Sequence, residues 1–290
     1  AAAAQRRIEE VIIEFINDNI PKNSKLALAG GVFANVKINQ KISELKKIKD
    51  IFIFPNMGDG GLSVGAAIIA FNKNKKILPK KINNMYLGPT YNNSQVLKEL
   101  KLNKLKYLKL SNPNKFIAEK LHNGFVVGCF QGRMEFGPRA LGNRSILVRA
   151  IDSEVNNWLN KRLKRTEFMP FAPITLQKFA KKMYENLNGK IFASKFMTVT
   201  TKCSKSAIKL SPAAVHIDGT ARPQIISKKI NPRIFNLLNE YYKISKIPSL
   251  INTSFNVHEE PIVCSPKDAI RAFKSSKLDY LYIQDYIVYK

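Results

Sequence analysis

Lys25-Leu26-Ala27-Leu28-Ala29-Gly30-Gly31-Val32-Phe33-Ala34-Asn35 is the stretch that decides the fold. An apolar strand over Lys25–Ala29 runs into two glycines, and helical spacing resumes over Val32–Leu45. The order then repeats. Ile51–Phe54 reads as a buried strand closed by Pro55, Gly58-Asp59-Gly60-Gly61 as a turn, and Leu62–Phe71 as an apolar helix. Strand, glycine turn and helix twice over predict an α/β layer. Upstream, Ile8, Val11, Ile12, Phe15 and Ile16 place a helix over Gln5–Asn19, ended by Pro21.

The two turns carry different chemistry. Gly30-Gly31 lets a ligand approach the main chain, and a helix start offers free N–H groups that suit phosphate or ribose. A plain tight turn explains the pair equally well. Asp59 sits at a strand end between glycines, where a carboxylate reaches a metal or a nucleotide-bound cation, or simply caps the helix. Neither GxGxxG nor GxxxxGK[ST] occurs, which removes those two nucleotide-binding patterns.

Outward from this layer, a basic polar stretch over Asn72–Asn84 and Leu87-Gly88-Pro89-Thr90 suggest a boundary, dividing residues 1–88 from 89–290. The second part reads as mixed α and β. Helices are predicted at Ser94–Leu100, Asn114–Asn123, Glu154–Leu163 and Pro266–Ser275. Strands are predicted at Gly124–Phe130, Phe196–Thr201, Val215–Ile217, Ser249–Ile251 and Leu281–Val288.

Across 290 residues the formal charge is +27, which points to nucleic acid, anionic lipid or an anionic substrate. Lysines such as Lys46-Lys47 and Lys228-Lys229 read as solvated surface, but the arginines cluster. Gln131–Ile146 holds Arg133, Arg139 and Arg144 among three glycines and a proline directly after a strand, the make-up of an anion cradle. Glu135 inside it allows the alternative of a structural Arg–Glu network. The basic helix end from Asn160 to Arg165 partly answers a helix dipole. His216–Gln224 and Asn252-Thr253-Ser254-Phe255-Asn256 place small polar groups after strands, where they orient a ligand or close a turn. His216 and His258 are isolated from other metal-ligand types in sequence. Cys129, Cys203 and Cys264 form no CxxC pair, which argues against a zinc knuckle or disulfide framework and for a reducing, cytoplasmic setting. No apolar run of about 18 residues is present, so no membrane span is expected.

These runs together resemble the NodU/CmcH-type O-carbamoyltransferases. The match is carried by Leu28–Val32 with Asn35, Gly58-Asp59 with Gly61 and Gly65-Ala66-Ala67, Gln131–Ile146, Phe171-Ala172-Pro173, His216–Gln224, and Asn252–Asn256 with Glu260-Pro261-Ile262. The resemblance implies the end of an ASKHA (actin/Hsp70-like) domain over 1–88 and a mixed α/β YrdC-like domain over 89–290. It implies an ATP-dependent carbamoyl transfer in which carbamoyl phosphate and ATP give carbamoyl-adenylate, and the carbamoyl group passes to an acceptor hydroxyl. Gly30, Gly31, Asn35 and Gly60 are implied at a nucleotide and Asp59 as a metal ligand, iron or similar, with magnesium accompanying ATP. Arg222, Ser254 and Asn256 are implied at ATP or carbamoyl phosphate, joined by Arg133, Arg139 and Arg144. Arg165 and either Lys161 or Lys164 are their implied companions.

The sequence departs from the family at Met169, where many relatives carry Arg, and at Glu259, often Gly. The family's remaining metal ligands, two His and an Asp, have no counterpart here, which implies that the chain begins inside the ASKHA domain, as a fragment or one product of a split gene whose missing partner is the amino-terminal half of that domain. Three rivals stay open: a threonylcarbamoyl-adenylate enzyme of tRNA modification, a basic nucleic-acid-binding protein, and an inactive remnant. No nucleic-acid partner is expected, because neither interleaved aromatic and basic residues nor a recognition helix stands out.

Overall fold

Parallel pairing of two short strands builds the front of the molecule. A computed structural model describes residues 1–75, 82–152, 154–162, 171–257 and 259–290. Helix α1 (Ala2–Asn19) leads to β1 (Ser24–Leu28), α2 (Val36–Ser43), β2 (Ile48–Ile53) and α3 (Leu62–Lys75). β1 and β2 run parallel with Leu28 opposite Ile53, so the two glycine turns that follow them lie side by side. The helix expected over Val32–Leu45 is in two pieces. A 3-10 turn covers Gly31–Ala34, and α2 starts afresh because Asn35 Oδ1 accepts from the N–H groups of Lys37 and Ile38. Ile16, Ile38, Ile42, Ile51 and Ile53 form the core of this lobe together with Ala193 and Val199, contributed by a much later segment.

The expected helix after Gly61 is present, but it is bare. Leu62 is 71% exposed and Ile69 64%, and on α1 Phe15 is 61% exposed. A helix apolar all round ordinarily lies inside a protein.

The remaining chain forms α4 (Asn93–Leu102), β3 (Tyr107–Lys109), α5 (Pro113–His122), β4 (Val127–Phe130), β5 (Arg144–Arg149), α6 (Val155–Arg162), β6 (Ala172–Leu176), α7 (Ala180–Met183), β7 (Thr201–Lys202), α8 (Lys205–Leu210), β8 (Thr220–Ala221), β9 (Gln224–Ile226), α9 (Pro232–Ser245), β10 (Ser249–Ser254), α10 (Pro266–Ser275), β11 (Tyr280–Ile283) and β12 (Tyr286–Tyr289). Eight strands make one mixed sheet in the order β3-β12-β11-β4-β5-β10-β6-β9. Alternation along β4 sends Phe130 to one face and Val127 and Cys129 to the other. The first face packs Ala269, Ile270 and Phe273 of α10 and Val96 and Leu100 of α4; the second packs α5 and α9. The result is a three-layer α/β/α unit.

Helix ends follow local rules. Ser265 and Asp268 form a capping box at α10, with Pro266 at its first turn. Asn231 caps α9 ahead of Pro232, and Lys246 ends it at φ +59°.

Several expectations are corrected. Of Phe196–Thr201 only Thr201 is extended, pairing as β7 with β8, and Val215–Ile217 forms no strand but runs into a turn with Ile217 fully exposed. Leu281–Val288 is a tight hairpin, broken where Gln284 takes φ +50°. Strand β5 begins inside the stretch read as an anion cradle, and α9 is an addition to the expected helices. Cys129, Cys203 and Cys264 are free thiols. No described helix is long and apolar enough to cross a membrane.

Candidate anion site

Strand direction gathers the scattered polar motifs at one edge. β4 and β10 run antiparallel to β5, and β6 and β9 run antiparallel to β10, with Phe130 opposite Arg144, Ser254 opposite Ser145, Asn252 opposite Ala172 and Ile174 opposite Gln224. The ends of β4 and β10 therefore share an edge with the starts of β5, β6 and β9. The loop 131–143, the approach to Gln224 and the turn after Ser254 all lie there.

Glu135 shapes the first of these loops. Its buried Oε1 accepts from the main-chain N–H groups of Leu141 (2.7 Å), Asn143 (2.8 Å) and Arg144 (3.2 Å). Burial raises its pKa, and those N–H groups work in the opposite direction. Gly142 sits at φ +110°, and a Cβ there would meet Ile234 Cγ1 at 2.8 Å, so both conformation and space demand glycine.

The three arginines of the stretch divide. Arg144 is fully buried, stacked 3.6 Å from the Phe130 ring centroid, and donates to the carbonyls of Gln131, Asn143 and Gly132. Burial brings its pKa down to about 10. Arg133 is exposed and donates to the carbonyls of Leu87 and Gly88. Both were expected at the anion. In the structure their guanidinium groups hold main chain, because the β4–β5 register turns Arg144 inward and the 82–88 segment lies against Arg133.

Arg139 is different, and so is Arg222. Each is half-buried and, unlike Arg144, donates no hydrogen bond to a described residue; each Nε is buried without a partner, as the Nε of Arg144 also is. Among the described residues neither forms an ion pair. Burial, and then the like charge of Arg139, pull Arg222 down to about 9. Two neighbouring cations held out of water without a counter-charge make a site for an anion.

The wall behind them is polar and fixed. Gln224 Nε2 donates to Leu141 O (2.7 Å), while Asn252 Nδ2 donates to Gln224 Oε1 (2.8 Å) and Ala140 O (3.1 Å). Both residues lie in quoted motifs, yet neither was singled out. The period-two spacing of Asn252 with Ser254 and of Arg222 with Gln224 was the available signal.

Ser254 donates to Asn256 Oδ1 (2.6 Å), and Asn256 Nδ2 donates to the carbonyls of Val257 and Glu260. Asn256 thus builds its own turn, while Ser254 stands at the shared edge. Glu259 in that turn adopts φ +64°, the conformation that favours the glycine common in relatives. His216 lies beside Arg222, its Nδ1 3.2 Å from Thr220 Oγ1, and burial followed by the charge of Arg222 lowers its pKa. Lys161 is exposed near the end of α6; Lys164, Arg165, Met169 and His258 lie outside the described residues.

The Arg222 loop is tied to the front lobe. Lys37 Nζ donates to Asp218 Oδ2 (2.5 Å), and Asp218 Oδ1 accepts from Thr220 N and Oγ1. Burial opposes the Asp218 carboxylate, but the hydrogen bonds from Lys37 and Thr220 outweigh it and bring the pKa down from 3.8 to about 2. A folded-state pKa below the unfolded one stabilises the loop above about pH 4, and this is lost as pH falls from about 4 through 2. The pair is exposed, so it contributes under about 1 kcal/mol. The protection factor of the Thr220 amide, exchange relative to an unstructured amide at the same pH, should fall by up to about fivefold between pH 4 and pH 2, and Asp218→Asn should remove that pH step.

In the front lobe, a Cβ on Gly30, Gly31 or Gly58 would meet nothing within 4 Å, which leaves those turns open to a ligand. Gly60 instead packs on Asn56, 2.7 Å from where its Cβ would be. Asn35, expected at a nucleotide, caps α2 and also donates to Gln5 Oε1 (2.7 Å). Asp59 is exposed at the start of a 3-10 turn. Among the described residues no three His, Cys, Asp or Glu side chains cluster to hold a metal. The residues present do not by themselves fit the implied metal centre.

Residues 118–290 match the Carbamoyltransferase C-terminus family, and residues 1–68 match the Carbamoyltransferase N-terminus family. The chain belongs to the carbamoyltransferase family. Uncharacterized protein MJ1058 of Methanocaldococcus jannaschii is 38% identical over 99% of this chain and 48% of its own length. Nodulation protein NolO of Bradyrhizobium diazoefficiens is 34% identical over 100% of the chain and 54% of its own length. Nodulation protein U of Rhizobium tropici is 29% identical over 95% and 45%. The chain thus spans about half the length of the curated relatives it matches. A solved structure of full-length HypF in a phosphate- and nucleotide-bound form overlaps 59% of this chain and 24% of its own, at 22% identity and a TM-score of 0.43.

Proposed function

We propose that this carbamoyltransferase chain makes carbamoyl-adenylate at the Arg139–Arg222 edge and delivers the carbamoyl group to an acceptor hydroxyl. The observation that carries this reading is the pair of half-buried arginines with unpaired Nε groups and no counter-charge among the described residues.

The chemistry asks for such a pair. Water cleaves the anhydride of carbamoyl phosphate to carbamate and phosphate. A carbamate oxygen then bonds to the α-phosphorus of ATP while the bond to the departing pyrophosphate breaks. Arg139 and Arg222 bear on phosphate oxygens whose charge shifts during that displacement, and a preformed pair of donors does so without reorganising. In transfer, the acceptor oxygen bonds to the carbamoyl carbon, AMP leaves and the hydroxyl proton goes to solvent. Carbamoyl-adenylate hydrolyses easily, and apposed sites limit its exposure to water.

In this reading residues 1–88 belong to the ASKHA-type transfer domain and 89–290 to a YrdC-like adenylating domain. The bare apolar surfaces of α1 and α3 are the seam for the rest of the transfer domain, since a continuous exposed apolar patch marks a contact surface. The open Gly30, Gly31 and Gly58 turns receive the adenylate on the transfer side, with Asp59 acting there.

Exchange of labelled pyrophosphate into ATP, dependent on carbamoyl phosphate, tests the adenylation step in the intact protein; no exchange above background would reject it. Asp59→Ala should leave this exchange within about twofold of wild type yet reduce carbamoyl transfer about 100-fold, the loss typical of one removed transition-state contact. Equal loss of both would contradict the division between the lobes.

A further inference from the structure

Asn252 is only 1% exposed, and its amide orientation is fixed by its neighbours. Gln224 must present Nε2 to Leu141 O, which leaves Gln224 Oε1 facing Asn252. The carbonyl of Ala140 also faces Asn252, and two acceptors require Nδ2 on that side. Asn252 Oδ1 therefore points the other way, buried and without a partner. An unmatched buried acceptor is costly, and the same edge holds the unmatched Nε groups of Arg139 and Arg222. Arg139 directly precedes Ala140 in the chain, and Arg222 lies in the link between β8 and β9, two residues before Gln224, whose side chain reaches across β6 to Asn252. Arg144 Nε and Glu135 Oε2 are unmatched there as well, but their side chains already hold main chain, which leaves two cations beside one neutral acceptor. A ligand that matches all three is anionic along one side and carries an N–H donor at the other.

We propose that Asn252 is the specificity-determining residue for the carbamoyl group, accepting through Oδ1 a hydrogen bond from the carbamoyl NH2 while Arg139 and Arg222 hold the phosphate. The inference rests on the adenylation reading and sharpens it. Acetyl phosphate has nearly the same shape, with a methyl group where carbamoyl phosphate has NH2. A methyl group leaves Oδ1 unmatched, and sites built to pair a polar group reject the analogue that lacks it. Losing one buried hydrogen bond of this kind corresponds to about 10- to 100-fold.

The test compares the two acyl phosphates in pyrophosphate exchange by the intact protein. Wild type should favour carbamoyl over acetyl phosphate by about 10- to 100-fold in kcat/KM. Asn252→Ala should bring that ratio close to one, mainly by losing carbamoyl phosphate. Exchange with both substrates at equal efficiency in wild type would overturn the role of Asn252 while leaving adenylation standing, whatever the variant does. A folded Asn252→Ala protein that keeps the wild-type preference would overturn it as well. Absence of exchange with either substrate in wild type would overturn the adenylation reading and this inference together.

Discussion

Arg222→Ala is expected to abolish carbamoyl-phosphate-dependent pyrophosphate exchange, with a loss of at least about 100- to 1,000-fold, the range for removing one preorganised donor to a developing charge. Three features place it at the head of the site. It is half-buried, its Nε has no partner, and it lies beside a second arginine that shares no carboxylate with it among the described residues. Such an arrangement costs the folded protein something, because two cations are drawn together and partly desolvated. Removing one should therefore leave the fold unharmed or slightly steadier while activity disappears. Arg222→Lys should retain a small part of the rate, since an ammonium group keeps the charge but not the planar fork. Undiminished exchange in Arg222→Ala, measured alongside an unchanged thermal melt, would remove this residue from the site.

Glu135→Ala should act in the opposite way, on the fold first. Its single oxygen Oε1 accepts from three main-chain N–H groups, of Leu141, Asn143 and Arg144, at the start of β5. Each buried N–H left without an acceptor costs about 1–3 kcal/mol, so the variant should lose at least about 3 kcal/mol. For a chain of this size that is roughly 6–12 °C in melting temperature. Glu135→Gln keeps a carbonyl oxygen in place and should lose less than half as much. Activity should fall with Glu135→Ala as well, because Arg139 and Ala140 lie in the turn that this carboxylate closes. A Glu135→Ala protein that melts with wild type would show that the loop is held elsewhere.

The sequence announced the layer type and the anion-handling stretch, but not what each arginine does. Alternation and glycine placement predicted β1, β2 and their turns, because those signals act over a few residues. The composition of Gln131–Ile146 marked a cradle. Which guanidinium is tied to main chain depends on how β4 and β5 pair, a relation between distant residues that turns Arg144 onto Phe130 and leaves Arg139 outside. Strand β5 was hidden for the same reason: charged at both ends, Arg144–Arg149 looks like loop until its Ile146-Leu147-Val148 centre is buried on both faces. Asn252 and Gln224 were overlooked because an amide gains its meaning only from the carbonyls opposite it. Asn35 and Asn256 show the reverse case, where a motif residue turned out to brace its own backbone.

The late segment that docks on the front lobe has a mechanical consequence. Ile51 donates its N–H to Gly189 O, Asn39 Nδ2 to Thr198 O, and Thr200 Oγ1 to Gln40, while Ala193 and Val199 sit among the isoleucines of the first lobe. The lobes are stitched by a strap remote in sequence from the chain link near Gly88, with Phe196 and Met197 sharing a core with Met85. A clip at that link would leave two pieces clasped together, still travelling as one particle. The glycine turns and the arginine pair are therefore held at a set separation.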